Sequence, residues 1–453
     1  MGTHSVSRYG VVACAYVAAA LVLGGGGSPS PKAEIIVQLC FVAAAVAWLW
    51  WAPRGNLRMQ PIPKSLVWLG RGILALPLLK LVPLPPAIWH ALPNRDIERQ
   101  ALALIGGADS WRPLAISPPD TLASFLALVP AVTVMWATAS LGRRDRHAIL
   151  LVIAAIMLAG AALGALQLAG GPGMFQLYEK SHRGWLTAFH ANRNAAADAL
   201  LIGALALAAW FAGGTTPYAL RRRRRPIVAL LLLLLGLAVV LTGSRTGIAL
   251  LVPVGLAATW LLRDRTAFAV KPFGIAIAGL ACLFAVAAPL FVSLNPRLSG
   301  VFSRFDAAGD ARTALWADTL TALTAWFPAG AGLGSYVYAF LPFERAAALD
   351  PFFPNRAHND YLEFMIEAGA LAPVYLAAGA AILGRLAWRG FRAPSDDRPI
   401  LIFACATLLV ITLHSAIDYP LRNMAVACLA GIAAGMLAGS GSGRTGHATD
   451  GRA

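Results

Sequence analysis

Runs of Ala, Leu, Val and Ile, many about twenty residues long, recur from one end of this chain to the other, and no other feature narrows its fold so far. A helix crosses the hydrocarbon core of a bilayer with about 17–25 mostly apolar residues. Backbone N–H and C=O groups find no water in lipid, so such runs must be helices that pair those groups internally. Composition agrees: 58% of residues are hydrophobic and 13% charged, where soluble domains average about 45–50% and about 25%. A water-soluble α/β enzyme is excluded. The expected fold is all-α, a polytopic membrane helix bundle.

Twelve spans are expected, near 9–24, 34–51, 67–82, 120–140, 148–168, 195–213, 227–242, 247–262, 273–292, 370–386, 399–414 and 422–438. The third holds Arg71 and Lys80 and also reads as an interfacial or tilted segment. Arg8 and the apolar run from Tyr9 to Gly24 resemble a signal peptide. Another span follows at once, so an uncleaved first helix is expected. With the N-terminus cytoplasmic, alternate connections are short and basic, as the positive-inside rule requires. They carry Arg54, Arg58 and Lys64, then Arg143, Arg144 and Arg146, then Arg221 to Arg225, then Arg263, Arg265 and Lys271, and last Arg385, Arg389, Arg392 and Arg398. The same rule accounts for the net charge of +16 without nucleic acid as a partner. The five cysteines all lie within apolar runs and read as small buried hydrophobes, not as a disulfide framework or zinc site.

Three external stretches are long: 83–119, 169–194 and 293–369. The last is rich in Trp, Phe, Tyr and Leu and should form short helices on the outer membrane face. The expected organisation is one integral membrane domain, 1–440, with nine spans in 9–292, a large periplasmic loop in 293–369 and three spans in 370–438; residues 440–453 read as a disordered cytoplasmic tail.

The residues suited to chemistry gather on the external side. Gly243 to Gly247 (Gly-Ser-Arg-Thr-Gly) forms a whole turn between two spans. Its Arg245 is placed to pair with a phosphate bidentately, or to act as a snorkelling anchor. Arg312, after Asp310 as a plausible N-cap, lies in a first helical turn, where the dipole disfavours a cation unless an anion binds or Asp306 or Asp310 pairs with it. Pro328 to Gly334 lacks the βαβ context of a dinucleotide fingerprint and reads as a flexible turn at the membrane face. Asn355 to Gly369 reads as a helix beginning after Pro354, with His358, Tyr361, Leu362 and Met365 on one face. His358 there is a general base or a hydrogen-bonding interfacial residue. His190 to Asn194 could bind sugar or phosphate or cap a helix, and Asp418, in the turn after His414, could hold a cationic partner. No Asp-x-Asp pair, P-loop, HExxH or GxSxG motif is present.

Together these residues resemble the O-antigen ligase and O-antigen polymerase family of bacterial membrane glycosyltransferases. The resemblance is carried by Gly243-Ser244-Arg245-Thr246-Gly247, by Arg312 with Trp316, by Pro328 to Gly334, and by His358-Asn359-Asp360-Tyr361-Leu362 with Glu367 and Gly369. Asn192-Arg193-Asn194, Leu114 to Asp120 and His414 to Pro420 add to it. It implies a twelve-helix bundle with a large periplasmic loop, in the bacterial inner membrane. It also implies transfer of a glycan from undecaprenyl pyrophosphate to an acceptor hydroxyl, without metal or cofactor. The acceptor is the lipid A core for a ligase, as in lipopolysaccharide biosynthesis, or a growing lipid-linked chain for a polysaccharide polymerase. The family's donor-binding arginines match Arg245 and Arg312, and its essential histidine matches His358. Arg193, Asn194, Arg356, Asn359, Asp360, Tyr361, Glu367 and Asp418 are expected in support. The family often continues Asn-Arg-Asn with a His or aromatic residue, where this chain has Ala195 to Ala197.

The chemistry fits. As the sugar–phosphate bond breaks, charge grows on the bridging oxygen, and two fixed guanidinium groups would stabilise it. His358 would take or orient the proton of the attacking hydroxyl, with inversion at the anomeric carbon. An O-antigen ligase is the first expectation and a polymerase the second. A lipid-linked glycan flippase or other transporter is the rival from another class, although it would place its polar sites near the bilayer midplane.

Overall fold

The computed structural model describes residues 6–27, 31–51, 59–171, 173–214, 218–263, 311–346, 354–393 and 397–439. The expected ninth span, Asp310 and the C-terminal tail lie outside them. In chain order the helices are α1 (Arg8–Leu23), α2 (Pro31–Trp51), α3 (Lys64–Lys80), α4 (Pro86–Trp89), α5 (Asp96–Ala103), α6 (Pro118–Ser140), α7 (Arg143–Ala169), α8 (Arg193–Gly213), α9 (Tyr218–Leu241), α10 (Arg245–Leu262), α11 (Ala311–Trp326), α12 (Tyr336–Phe340), α13 (Asp360–Ala368), α14 (Leu371–Arg392), α15 (Arg398–Ser415) and α16 (Met424–Gly439). One small ribbon, β1 (Pro83–Leu84) paired antiparallel with β2 (Arg112–Pro113), closes the 83–119 stretch.

The all-α bundle is as expected. Among the described residues, eight helices are long and apolar enough to cross a membrane: α1, α6 to α10, α14 and α15. Shorter apolar helices cover Glu34–Trp50 and Met424–Ala438. α3, 17 residues long, is not among the eight. Two helices start earlier than their apolar runs. α7 begins at Arg143, and α9 begins at Tyr218 and takes in the five arginines that read as a connection. Arginine is a good helix former, so the helix continues past the apolar stretch.

α8 is the central column. Of its apolar window 89% is buried, against 11% for the peripheral α14. Its alanines let α7, α9, α10 and α15 come close around it. α6 and α16 approach closest. A Cβ on Gly431 would lie 2.3 Å from the Ala131 carbonyl, and one on Gly435 2.4 Å from that of Met135. This small-x-x-x-small spacing permits near backbone contact in lipid, where packing replaces the hydrophobic drive.

Candidate functional site

The site forms at the end of the bundle where α8, α10, α11 and α13 begin. Asn359 starts α13: its side chain accepts from the N–H groups of Tyr361 at 3.0 Å and Leu362 at 3.1 Å. The helix therefore begins at Asp360, not after Pro354, and His358 does not share a helical face with Tyr361, Leu362 and Met365. His358 stands just outside with φ of 50°. That left-handed conformation costs a non-glycine residue about 1–2 kcal/mol, and such strain concentrates at functional positions.

The conformation turns the imidazole toward the 416–423 turn. His358 Nδ1 lies 3.1 Å from Asp418 Oδ1, and the ring meets Tyr419 edge-on at 5.0 Å. The His358 side chain is 33% exposed and that of Asp418 3%. Burial pushes the Asp418 carboxyl upward, but the hydrogen bond and charge of His358, with His414 and Arg312, outweigh it and hold the pKa at about 2. With Asp418 ionised, His358 Nδ1–H donates to it, which leaves Nε2 as the atom a deprotonated imidazole would offer as an oriented base. Asn194 Nδ2 donates to the other Asp418 oxygen.

α8 supplies the neighbouring groups. Asn192 caps it, accepting from Asn194 N–H at 2.8 Å, and donates to the Tyr419 hydroxyl at 3.3 Å. The Arg193 guanidinium lies 4.8 Å from the Trp185 ring centroid, and its backbone N–H donates to His182 Nδ1 at 3.2 Å. Gly243 packs against the Trp185 ring: a Cβ there would come within 2.3 Å of it, and φ is +65°. Only glycine suits both demands. Ser244 then caps α10, accepting from Gly247 N–H at 3.2 Å, so Arg245 opens that helix beside Trp185 and the start of α8. Arg312 occupies the first turn of α11, and Trp316 one turn on donates to the Ala357 carbonyl at 3.0 Å, next to His358. The positive charge of Arg312 acts on both Asp418 and His414. The structure thus brings His358, Asp418, Asn194, Arg193 and Arg312 together, with Arg245 on the adjoining helix start.

Most of the remaining expected residues lie in a charged network around the start of α13. Arg356 pairs with Glu363 at 2.7 Å, and Glu363 also accepts from Ala357 N–H at 3.1 Å. Arg422 bonds Glu367 at 2.6 Å and reaches Glu363 at 3.3 Å and Asp360 at 3.7 Å. Asp360 accepts from Ser415 Oγ at 2.9 Å and Leu421 N–H at 3.2 Å. Its burial, only partly offset by Arg422, raises its pKa to about 7. Burial would raise Glu363 too, but Arg422 and Arg356 hold it below its ordinary value. Tyr361 points away from His358's partner, its hydroxyl donating to Thr412 O at 2.8 Å.

The turn Pro328 to Gly334 is packed, not flexible. Ala331 and Gly332 N–H groups donate to the carbonyls of Ile366 and Glu367, each at 2.9 Å, and Gly334 N–H donates to the Glu367 carboxylate at 2.7 Å. Lys80 fastens it: the ammonium, 3% exposed, donates to the Ala329 carbonyl and to that of Ala368 at 3.2 Å. Sequence reasoning gave Lys80 no such part, nor His182 or Arg422. It also missed a second carboxylate–histidine pair below the site, Asp198 Oδ1 with His414 Nδ1 at 2.6 Å, each side chain 1% exposed. An ionisable residue inside a span was the available signal for that pair. Among the described residues, no three His, Cys, Asp or Glu side chains converge as metal ligands do.

Comparison with known proteins places this site in context. Residues 229–377 match the O-antigen ligase family. The match covers about one third of the chain and includes Arg245, Arg312 and His358. The resemblance read from the motifs is therefore borne out over that segment, and the match together with the apolar helices supports a membrane protein with an O-antigen ligase or polymerase-like function. Arg193, Asn194 and Asp418 fall outside the matched segment yet pack into the same cluster. No curated protein matches the chain.

Proposed function

We propose that this protein is an O-antigen ligase-like glycosyltransferase. It moves a glycan from undecaprenyl pyrophosphate to an acceptor hydroxyl, that of the lipid A core, at the periplasmic face of the bacterial inner membrane. The observation that carries the reading is the His358–Asp418 pair: a part-exposed imidazole, held by a buried carboxylate, near Arg193 and Arg312 at two other helix starts.

The acceptor O–H attacks the anomeric carbon while the bond from that carbon to the phosphate oxygen breaks. His358 Nε2 accepts the hydroxyl proton, and Asp418 stabilises the imidazolium that forms. The electron pair leaves with the pyrophosphate, whose growing charge Arg245 and Arg312 receive without rearranging. In-line attack inverts the anomeric centre. A lipid-borne donor suits a site at the end of apolar helices, since its tail can remain among them while its phosphates meet the arginines.

The test is glycan transfer in a cell lacking its own ligase, comparing wild type with His358→Ala and Arg312→Ala at matched membrane levels. Attachment of polymer to the lipid A core by wild type alone is expected. Longer undecaprenyl-linked chains without attachment would make the protein a polymerase instead. Undiminished transfer by either variant would overturn the assignment of that residue.

A further inference from the structure

At the end of α8 opposite Arg193, a cavity of about 430 Å³ opens between α7, α8 and α9. α8 lines it with Leu207, Trp210 and Phe211, the residue just past its end, Gly214, completes that side, and α9 lines it with Arg224, Ile227, Val228 and Leu231. Both sets follow i, i+3, i+4, i+7, so each helix turns one stripe into the cavity. The helices are consecutive and joined by a short connection, so the stripes run in opposite directions. Gly214 faces Arg224 at the mouth, and Leu207 faces Leu231 about 10 Å deeper, from the rise per residue. From α7, His147 closes the third side, with Nε2 2.8 Å from the Trp210 carbonyl.

Polarity changes along that depth. The mouth is basic: Arg224 lines it, and Arg221 donates to the Gly214 carbonyl at 2.6 Å, drawing the arginine-rich start of α9 over the opening. The deep end is walled by aliphatic and aromatic groups alone. Ile227, 59% exposed, borders the surface α9 presents to lipid, so the cavity is entered from the bilayer side. Its volume lies within the about 300–1,000 Å³ of ordinary small-molecule sites. We infer that this cavity binds one anionic phospholipid, with the phosphate headgroup at Arg224 and the upper acyl chain between Leu207 and Leu231. Neither end alone selects that occupant. A free anion has no use for the apolar depth, and a neutral lipid has none for the basic mouth. Five arginines that served only to orient the helix would require no cavity, and any preference for anionic lipid would then be shared along the run instead of resting on Arg224.

The experiment is native mass spectrometry of the full chain in detergent, with equimolar phosphatidylglycerol and phosphatidylcholine of identical acyl chains. One phosphatidylglycerol should be retained in about fivefold preference, the effect of about one arginine at a headgroup. Arg224→Ala should reduce the preference to parity, while Arg222→Ala, likewise exposed in the same run but outside the cavity lining, should leave it unchanged. Leu207→Trp, which fills the apolar end, should lower retention of both lipids, and millimolar inorganic phosphate should not displace the lipid. Equal retention of the two lipids by wild type would overturn the inference. So would a preference that survives Arg224→Ala, or displacement by inorganic phosphate, which would mark a site for a free anion only. None of these outcomes depends on glycan transfer.

Discussion

Asp418→Asn removes one charge from the candidate site and little else. The amide keeps an oxygen for His358 and for the Tyr419 N–H, and Asn194 can rotate its own amide to face the new nitrogen. The carboxylate sits at a pKa of about 2, against an ordinary 3.8, despite burial that would raise it. At about 1.4 kcal/mol per tenfold, the surroundings favour its charged form by about 2 kcal/mol. His358 supplies the leading favourable part through its hydrogen bond and charge, followed by His414 and Arg312. In the proposed mechanism the same interaction, seen from the imidazole, would stabilise the cation formed as His358 takes a proton from the acceptor. Losing it should slow transfer about 30-fold through kcat, with KM for the lipid donor little changed. Because the depressed pKa belongs to an acid, its stabilisation is complete above about pH 4 and is lost only as pH falls toward 2. The wild type should therefore show no activity loss from this group in the neutral range. The assay is initial-rate transfer by purified protein in liposomes, with Asp418→Glu as a charge-preserving control. A rate within threefold of wild type for Asp418→Asn, or a loss expressed wholly in KM, would refute the reasoning.

Arg245→Lys should lose at least about tenfold in transfer at matched membrane levels, because a point charge does not reproduce a bidentate fork; a wild-type rate would remove Arg245 from the donor site. Gly435→Leu starts a side chain 2.4 Å from the Met135 carbonyl and 2.9 Å from Thr138 Cβ. Parting α6 from α16 should cost about 3 kcal/mol, read as a lower thermal unfolding midpoint; an unchanged midpoint would contradict the packing. Asp360 has a raised pKa, about 7 against 3.8, so its contribution to stability is full below about pH 4 and is lost as pH rises through 7. Asp360→Asn should flatten the dependence of the midpoint on pH, matching wild type at pH 4 and exceeding it at pH 8. Parallel curves for the two proteins would show that Asp360 does not titrate in that window.

Apolar runs located the described spans to within a few residues wherever lipid-facing composition sets the boundary, as in α6, α8 and α15. They failed at Arg143 and at Tyr218, where helices continue into basic residues that hydropathy cannot distinguish from loop. Local motifs likewise drew out Arg245, Arg312 and His358 as candidates, because turn chemistry and helix starts leave marks over five or six residues. The partners were not legible. Asp418 lies 60 residues from His358, and His414 lies 216 from Asp198. A contact across that separation has no local signature, and Lys80, with Arg71 in the same expected span, read only as a flaw in it. The start of α13 was misplaced for a related reason. Asn359 caps a helix through its side chain, and that cap excludes His358 from the helix while leaving the surrounding pattern helical in appearance.

The charged cluster behind His358 raises a further point of physical economy. Asp360, Glu363 and Glu367 are buried around Arg422 and Arg356, although exchanging a buried ion network for apolar groups is often neutral or stabilising. Net stability is therefore a poor reason for the cluster. Geometry is a better one, because its ion pairs and one hydrogen bond each join a different segment to α13. Arg356 draws in the stretch before His358, Arg422 the turn that carries Asp418, and the Glu367 carboxylate the turn ending at Gly334. Between the first two, His358 is kept in its left-handed conformation and aimed at Asp418. A bundle with an apolar plug in place of these charges would still bury its helices, but nothing would then set the backbone of a residue that prefers another conformation. The cluster's contribution is thus to the position of one imidazole, and its loss should register in transfer before it registers in membrane insertion.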